Sequence, residues 1–176
     1  MKKTTICLAT AIAFTVPRWV VAADVQRQAE VAGRGNDVMP FSLEATTHIF
    51  TKNAEGGTQR VVAKKGADAG QIKFVRAHLQ EIKQQFLKGD FSGPSHIHGQ
   101  DMPGLDALRS AKPAQIAIDY RDVDGGAELI YRTSDPVMVA ALHKWFDAQL
   151  SDHGSDAREG RPKTILNTAE HPHIAH

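Results

Sequence analysis

Cysteine is nearly absent from the sequence, and this absence limits the chemistry of any site. The only cysteine, Cys7, lies in a stretch that we predict is removed during export. A chain without cysteine has no disulfide bonds, no thiolate metal ligands and no cysteine nucleophile. Any bound metal ion would therefore need imidazole, carboxylate or thioether ligands.

Several motifs that would mark an enzyme or a nucleic-acid binder are also absent. The sequence has no G-x-S-x-G elbow, no phosphate loop and no dinucleotide-binding fingerprint. Lysine and arginine form no cluster. Removing residues 1–23 leaves 18 of the 21 basic residues against 20 acidic ones, a net charge of −2. These features indicate no recognisable class of enzyme and argue against nucleic-acid binding.

Residues 1–23 have the pattern of a secretory signal peptide. A basic start, Lys2–Lys3, precedes the apolar run Ile6–Val16, and residues 21–23 are small enough for cleavage. The apolar run, about 11 residues, is too short to span a membrane as a helix. We therefore predict a bacterial protein that is periplasmic or secreted and does not stay inserted in the membrane after cleavage. The remaining residues, roughly 150, suit a single domain.

A hairpin followed by a helix is predicted twice. Residues 45–65 contain two β-branched runs around Gly56–Gly57, and residues 115–134 repeat the pattern around Gly125–Gly126. A helical apolar stripe follows each hairpin. The two stripes are Ile72, Val75, Leu79, Ile82 and Phe86, and then, after Asp135 and Pro136, Val139, Leu142, Phe146 and Leu150.

We therefore predict an α+β fold, a two-layer sandwich built from a pseudo-repeated ββα–ββα pattern. The sheet would have four strands, mainly antiparallel, with both helices on one face. This domain would cover residues 45–153. An N-terminal arm or short helix, residues 24–44, precedes it, and residues 154–176 are predicted to be a flexible, histidine-containing tail.

Three segments resemble a group of small secreted bacterial proteins that are often labelled aspartate carbamoyltransferase. The segments are GDFSGPSHIHGQDMPGL, IDYRDVDGGAELIYRT and ALHKWFDAQLSDHG, and the resemblance runs from about Met39 to Asp156. It implies a secreted protein and brings no established catalytic residues. Aspartate carbamoyltransferases are longer, have two domains and carry a Ser-Thr-Arg-Thr-Arg phosphate loop. Because this chain has no such loop, we expect no carbamoyltransferase activity.

Histidine is abundant, and its nine imidazoles are the main chemical signal. His96 and His98 lie in HIHGQDMPGL, which connects the two predicted repeats. In an extended loop, residues two apart point the same way, so this pair can chelate one ion together with Asp101 or Met102. Alternatively, the loop is solvated and Met102 fills a gap in the core.

Other histidines lie within predicted elements, where a structural role competes with a ligand role. His143 and His78 lie beside the apolar stripes of their helices, where core-edge histidines bonded to polar neighbours also occur. His153 is ten residues beyond His143, about 15 Å along a continuous helix, so both reach one ion only if the helix ends first. His48, on the first strand, faces away from Ile49 and fits either role. The candidate metal ligands are His98, His96, Met102, His143, His153 and Asp101, with Asp152 as a weak ligand or an orienting partner.

These features together predict an exported protein that binds a transition metal, copper or zinc, through histidines. Its role would be metal buffering, delivery or tolerance. Two alternatives stay open. One is a module that binds haem or another small apolar ligand through a histidine and Trp145. The other is a non-catalytic interaction protein whose histidines are incidental. The sequence indicates no oligomeric state.

Overall fold

The computed structural model describes residues 18–65 and 69–162, with side chains from residue 24 onward. Residues 1–17 of the predicted signal peptide lie outside the described residues, as do residues 163–176 of the predicted tail with their HPHIAH histidines. The elements are α1 (Arg18–Val38), β1 (Thr46–Asn53), β2 (Gly56–Ala63), α2 (Ala69–Leu87), α3 (Ser92–His98), α4 (Leu105–Arg109), β3 (Ala117–Val123), β4 (Gly126–Arg132), α5 (Pro136–His153) and β5 (Ala157–Glu159). In these ranges no helix combines the length and the apolar character needed to cross a membrane.

The sheet has the order β3-β4-β2-β1-β5, so it has five strands where the sequence predicts four. The two predicted hairpins are present, and they join edge to edge because β2 pairs with β4 in antiparallel register, Val61 opposite Ala127. The fifth strand, β5, runs parallel to β1 beside His48. It lies in the predicted tail, so the prediction of a flexible segment from residue 154 is wrong for residues 154–159. A strand of three residues is too short to show an alternating pattern.

Both long helices after the first hairpin cover one face of the sheet. Because side chains alternate along a strand, Phe50, Leu129 and Tyr131 share this face and are almost fully buried. Helix α2 packs mainly on the second hairpin, and α5 packs mainly on β1, β2 and β5. Each helix therefore covers strands of the other repeat, and the two ββα units form one core around Trp145.

Helix α5 begins as its sequence predicts. The carboxylate of Asp135 accepts a hydrogen bond of 2.8 Å from the Val137 amide, and Pro136 occupies the first turn. The predicted arm, residues 24–44, is largely helix α1, which packs against α3 and α5 and buries Val31 completely. Helix α1 therefore closes the domain on the side where α3 and the end of α5 meet.

Gly104 lies in the connection between the two repeats and closely approaches the backbone of helix α5. We expect alanine at this position to be strongly destabilising. The residue has φ +82°, and a Cβ would lie inside van der Waals contact with the Ala141 carbonyl oxygen. Backbone strain together with this overlap should lower the free energy of unfolding by about 3 kcal/mol or more in Gly104→Ala. Urea denaturation measures the change.

Gly33→Ala is the matched control because a Cβ at this exposed helical position meets no atom within 4 Å. It should raise the free energy of unfolding by up to about 1 kcal/mol, the difference in helix propensity. Equal effects of the two alanines would contradict the close approach of residue 104 to α5.

Candidate functional site

A cavity of about 380 Å³ lies between the sheet, α2, α3 and the last turns of α1 and α5. Its walls are mainly apolar and aromatic, with Phe41, Leu79, Phe86 and Trp145 among them. Five imidazoles also line it, and we call it the histidine cavity. They are His48, His78, His96, His98 and His153.

His98 is fixed in the wall of this cavity by a buried carboxylate. Its Nδ1 lies 2.8 Å from Oδ2 of Asp152, and both side chains are nearly inaccessible. Arg27 of α1 holds the other side of this carboxylate, with Nε 2.5 Å from Oδ1 and Nη2 2.7 Å from Oδ2. The same Nη2 donates to the His98 carbonyl oxygen at 3.2 Å. Three distant segments, α1, α3 and α5, therefore converge on one hydrogen-bond network.

The network determines which nitrogen of His98 is available to a ligand. Burial raises the pKa of Asp152, but hydrogen bonds from His98 and Arg27 outweigh this, so its pKa lies below the usual value. Asp152 is therefore ionised near neutral pH and can only accept hydrogen bonds. Nδ1 of His98 must then carry the proton, which leaves the Nε2 lone pair for a ligand in the neutral ring.

His153 and His48 lie directly beside His98. The rings of His98 and His153 meet edge to face with their centroids 5.1 Å apart, and those of His153 and His48 are stacked at 4.7 Å. Nε2 of His153 donates to Oε1 of Gln149 at 3.1 Å, which leaves its Nδ1 as the acceptor nitrogen. Among the described residues, Nδ1 of His48 is buried without a hydrogen-bond partner.

Burial favours the uncharged form of His48, His78 and His153. Desolvation lowers the pKa of His153 to about 4, with His98 adding to the effect and Asp152 opposing it. Desolvation also lowers the pKa of His48 well below 6.5, and the neighbouring His153 and His78 lower it further. The pKa of His78 is lowered by its own burial. Neutral imidazoles keep the lone pair that a metal ion requires.

The spacing of the three central rings suits shared coordination, although their present orientation does not. Two imidazoles bound to one tetrahedral ion at ordinary metal–nitrogen distances have ring centroids about 5 Å apart. The two spacings between His48, His153 and His98 are close to this value. The His48 and His153 planes are within 11° of parallel, so both rings would have to turn to direct lone pairs at one point. Within residues 18–65 and 69–162, no group of three or more histidine, aspartate or glutamate side chains is already arranged around a metal position.

HIHG is helical, so the expectation that His96 and His98 point the same way is wrong. The segment Ser92–His98 forms α3, and residues two apart on a helix point to nearly opposite sides. His98 points into the protein, whereas the His96 side chain is about half exposed and pairs with Asp37 at 3.2 Å. The two histidines therefore reach the cavity from different sides.

Three other candidates do not line the histidine cavity. Met102 is buried in the hydrophobic core, as the alternative interpretation of this segment expects. Asp101 is exposed. Nε2 of His143 lies 3.0 Å from the Asn53 carbonyl oxygen and 2.9 Å from that of Gly56, so His143 braces the turn of the first hairpin. Metal binding at these positions stays a prediction, but none of them lines the cavity with His98 and His153.

Two residues of the site, His48 and Arg27, are not among the ligand candidates that the sequence predicts. His48 shares its strand face with Phe50, so the alternating pattern of β1 could have assigned it to the helix-covered face. Arg27 gives no such signal. Its contact with Asp152 joins residues that are 125 positions apart in the sequence, so it depends on how α1 packs in the folded domain.

Comparisons with protein-family models, with curated proteins and with solved structures find no match to this chain.

The buried neutral histidines should make the metal-free protein sensitive to mild acid. The unfolded chain protonates these imidazoles near pH 6.5, whereas folded His153 stays neutral until about pH 4. The unfolded state thus binds more protons in this window, so the free energy of unfolding should fall as the pH drops from 6.5 toward 4. Aspartates with a lowered pKa, such as Asp152, titrate below this window. Urea denaturation at pH 7.5 and pH 5 measures the effect.

His153→Gln should reduce this pH dependence by removing one imidazole with a lowered pKa. His143→Gln is the control, because His143 lies outside the cavity. A free energy of unfolding that is equal at the two pH values, or a pH dependence as large in His153→Gln as in the unsubstituted protein, would contradict the lowered pKa of His153.

Proposed function

We propose that this chain binds one transition-metal ion, copper or zinc, through His98, His153 and His48. The observation that carries the proposal is the convergence of three imidazoles from α3, α5 and β1, with neighbouring rings 5.1 Å and 4.7 Å apart. Rotation of the His48 and His153 side chains would be needed to direct their free nitrogens at a shared ion.

The surroundings of His98 support this assignment. Histidines that bind metals usually donate their second ring N–H to a carboxylate or a carbonyl oxygen, which fixes the ring and raises its basicity. The contact between His98 and Asp152 has this form, and Arg27 holds the carboxylate from the other side. Arg27 also neutralises a carboxylate that would otherwise be buried without a cationic partner.

The chemistry of the donors favours copper or zinc. The three proposed ligands are imidazole nitrogens, and imidazole suits both metals, whereas magnesium and calcium prefer oxygen ligands. The described residues contain no cysteine, so no thiolate competes with the imidazoles for the ion. A site without anionic ligands leaves the charge of the ion uncompensated, which favours a singly charged ion or an additional anion from solvent.

We further propose that the protein acts outside the cytoplasm, in metal buffering, delivery or tolerance. The signal-peptide pattern of residues 1–23 supports a place outside the cytoplasm. His96 and Asp37 lie at the solvent-exposed side of the cavity. A metal ion can enter past this pair before it reaches the buried rings.

The size and walls of the histidine cavity favour a second candidate, the binding of haem or a small apolar ligand. A volume of about 380 Å³ exceeds what a single ion needs and falls within the range of small-molecule sites. Phe41 and Trp145 offer aromatic surface, and His98 or His153 would be the axial ligand of a haem iron.

Titration calorimetry with Zn²⁺ and Cu²⁺ tests the metal proposal. His171, His173 and His176 are first replaced by alanine in the full chain, so that tail imidazoles add no binding. We expect one ion per chain, bound with micromolar affinity or tighter. His98→Ala and His153→Ala should abolish this binding, and Asp152→Asn should weaken it by about tenfold to a hundredfold.

His143→Ala is the matched control and should leave the metal affinity unchanged, because this residue lies outside the cavity. No binding tighter than millimolar, or an equal loss in His143→Ala and His98→Ala, would overturn the metal proposal. If haem instead gives a Soret band that His98→Ala removes, the second candidate is correct.

A further inference from the structure

A second cavity of about 340 Å³ lies at the C-terminal end of α2, apart from the histidine cluster. It is bounded by residues 86–91, by residues 108–116 and by the end of the sheet. Its floor is apolar and largely aromatic. The floor residues are Phe86, Phe91, Ile118, Tyr131, Leu142 and Trp145, all less than a tenth exposed.

The charged residues in the lining of the second cavity are all basic. Lys88, Arg109 and Lys112 line it, and no aspartate or glutamate does among the residues that the structure describes. Arg109 is held by Asp106 and by Oε1 of Gln100. Lys88 and Lys112 are exposed and form no ion pair within the described ranges. Two cations are therefore available beside an apolar pocket.

The backbone at the rim is strained. Ala114, two residues beyond Lys112, has φ +64°, the only positive φ at a non-glycine residue in the described ranges. Such a conformation is uncommon for a residue with a Cβ and tends to persist where a functional loop requires it. The surrounding structure must therefore hold Ala114 in place, and Ala114 lies in the lining of the second cavity.

Trp145 provides a further sign that the region is made for a ligand. Its Nε1 is buried without a hydrogen-bond partner among the described residues, although buried polar groups are nearly always paired. The indole lines both cavities and packs edge to face on Phe86, with ring centroids 5.7 Å apart. A molecule in either cavity would therefore change its environment.

We propose that the second cavity binds a small apolar molecule that carries one carboxylate group. The apolar part lies on the aromatic floor, where it is removed from water. The carboxylate lies at the rim, where Lys88 and Lys112 supply charge-assisted hydrogen bonds. This site is separate from the proposed metal site and does not depend on it.

Decanoate is the probe, and tryptophan fluorescence is the readout. The chain has two tryptophans, so Trp19→Phe leaves Trp145 as the only indole. Decanoate should shift its emission saturably, whereas decanol, with the same chain length and no charge, should bind about tenfold more weakly. The double variant Lys88→Glu, Lys112→Glu should weaken decanoate binding by at least about tenfold and leave decanol binding unchanged.

Two control variants locate the effect. Lys144→Glu makes the same type of charge change on an exposed part of α5 outside the cavity and should not alter decanoate binding. His98→Ala tests whether decanoate binds in the histidine cavity instead, and it should also leave decanoate binding unchanged. No saturable shift with decanoate, equal binding of decanoate and decanol, or loss of binding in His98→Ala but not in the double lysine variant would overturn the proposal.

Discussion

The contact among Arg27, Asp152 and His98 is the interaction on which the described site depends. It places a carboxylate from the end of α5 in a region with almost no access to water, and a buried carboxylate is tolerable only when it is paired. The pairing residues come from α1 and α3, so one network holds both helices against α5. It also fixes the tautomer of His98, which connects the packing of the domain to the chemistry of the cavity.

Three adjacent imidazoles, two of them with a lowered pKa, are unusual in a protein interior. Burial lowers the pKa of His48 and of His153, so the folded state stabilises the uncharged rings. Apolar residues of similar volume would fill this space without an unpaired polar atom such as Nδ1 of His48. The proposed role in metal binding gives these nitrogens a use that packing alone does not.

Local patterns in the sequence predict much of the fold, and long-range packing determines the rest. The stripes through Leu79 and Phe146 predict two of the helices, and the paired glycines predict both hairpins, because each signal depends on residues close in sequence. The sequence does not predict strand β5, because the strand is only three residues long and forms by pairing with β1, which is distant in sequence. The pattern of HIHG predicts an extended loop, but residues 96–98 end a short helix that begins at Ser92, so only His98 turns inward.

Nitrogen-detected NMR of the imidazoles in the uniformly ¹⁵N-labelled protein tests the central claim most directly. The account predicts that His48 and His153 are neutral at pH 6, that His98 is protonated on Nδ1, and that one equivalent of Zn²⁺ shifts the free nitrogen of each of the three rings. If His48 and His153 instead titrate near 6.5, like exposed histidines, and Zn²⁺ leaves all three rings unchanged, the buried cluster and its proposed function are both contradicted.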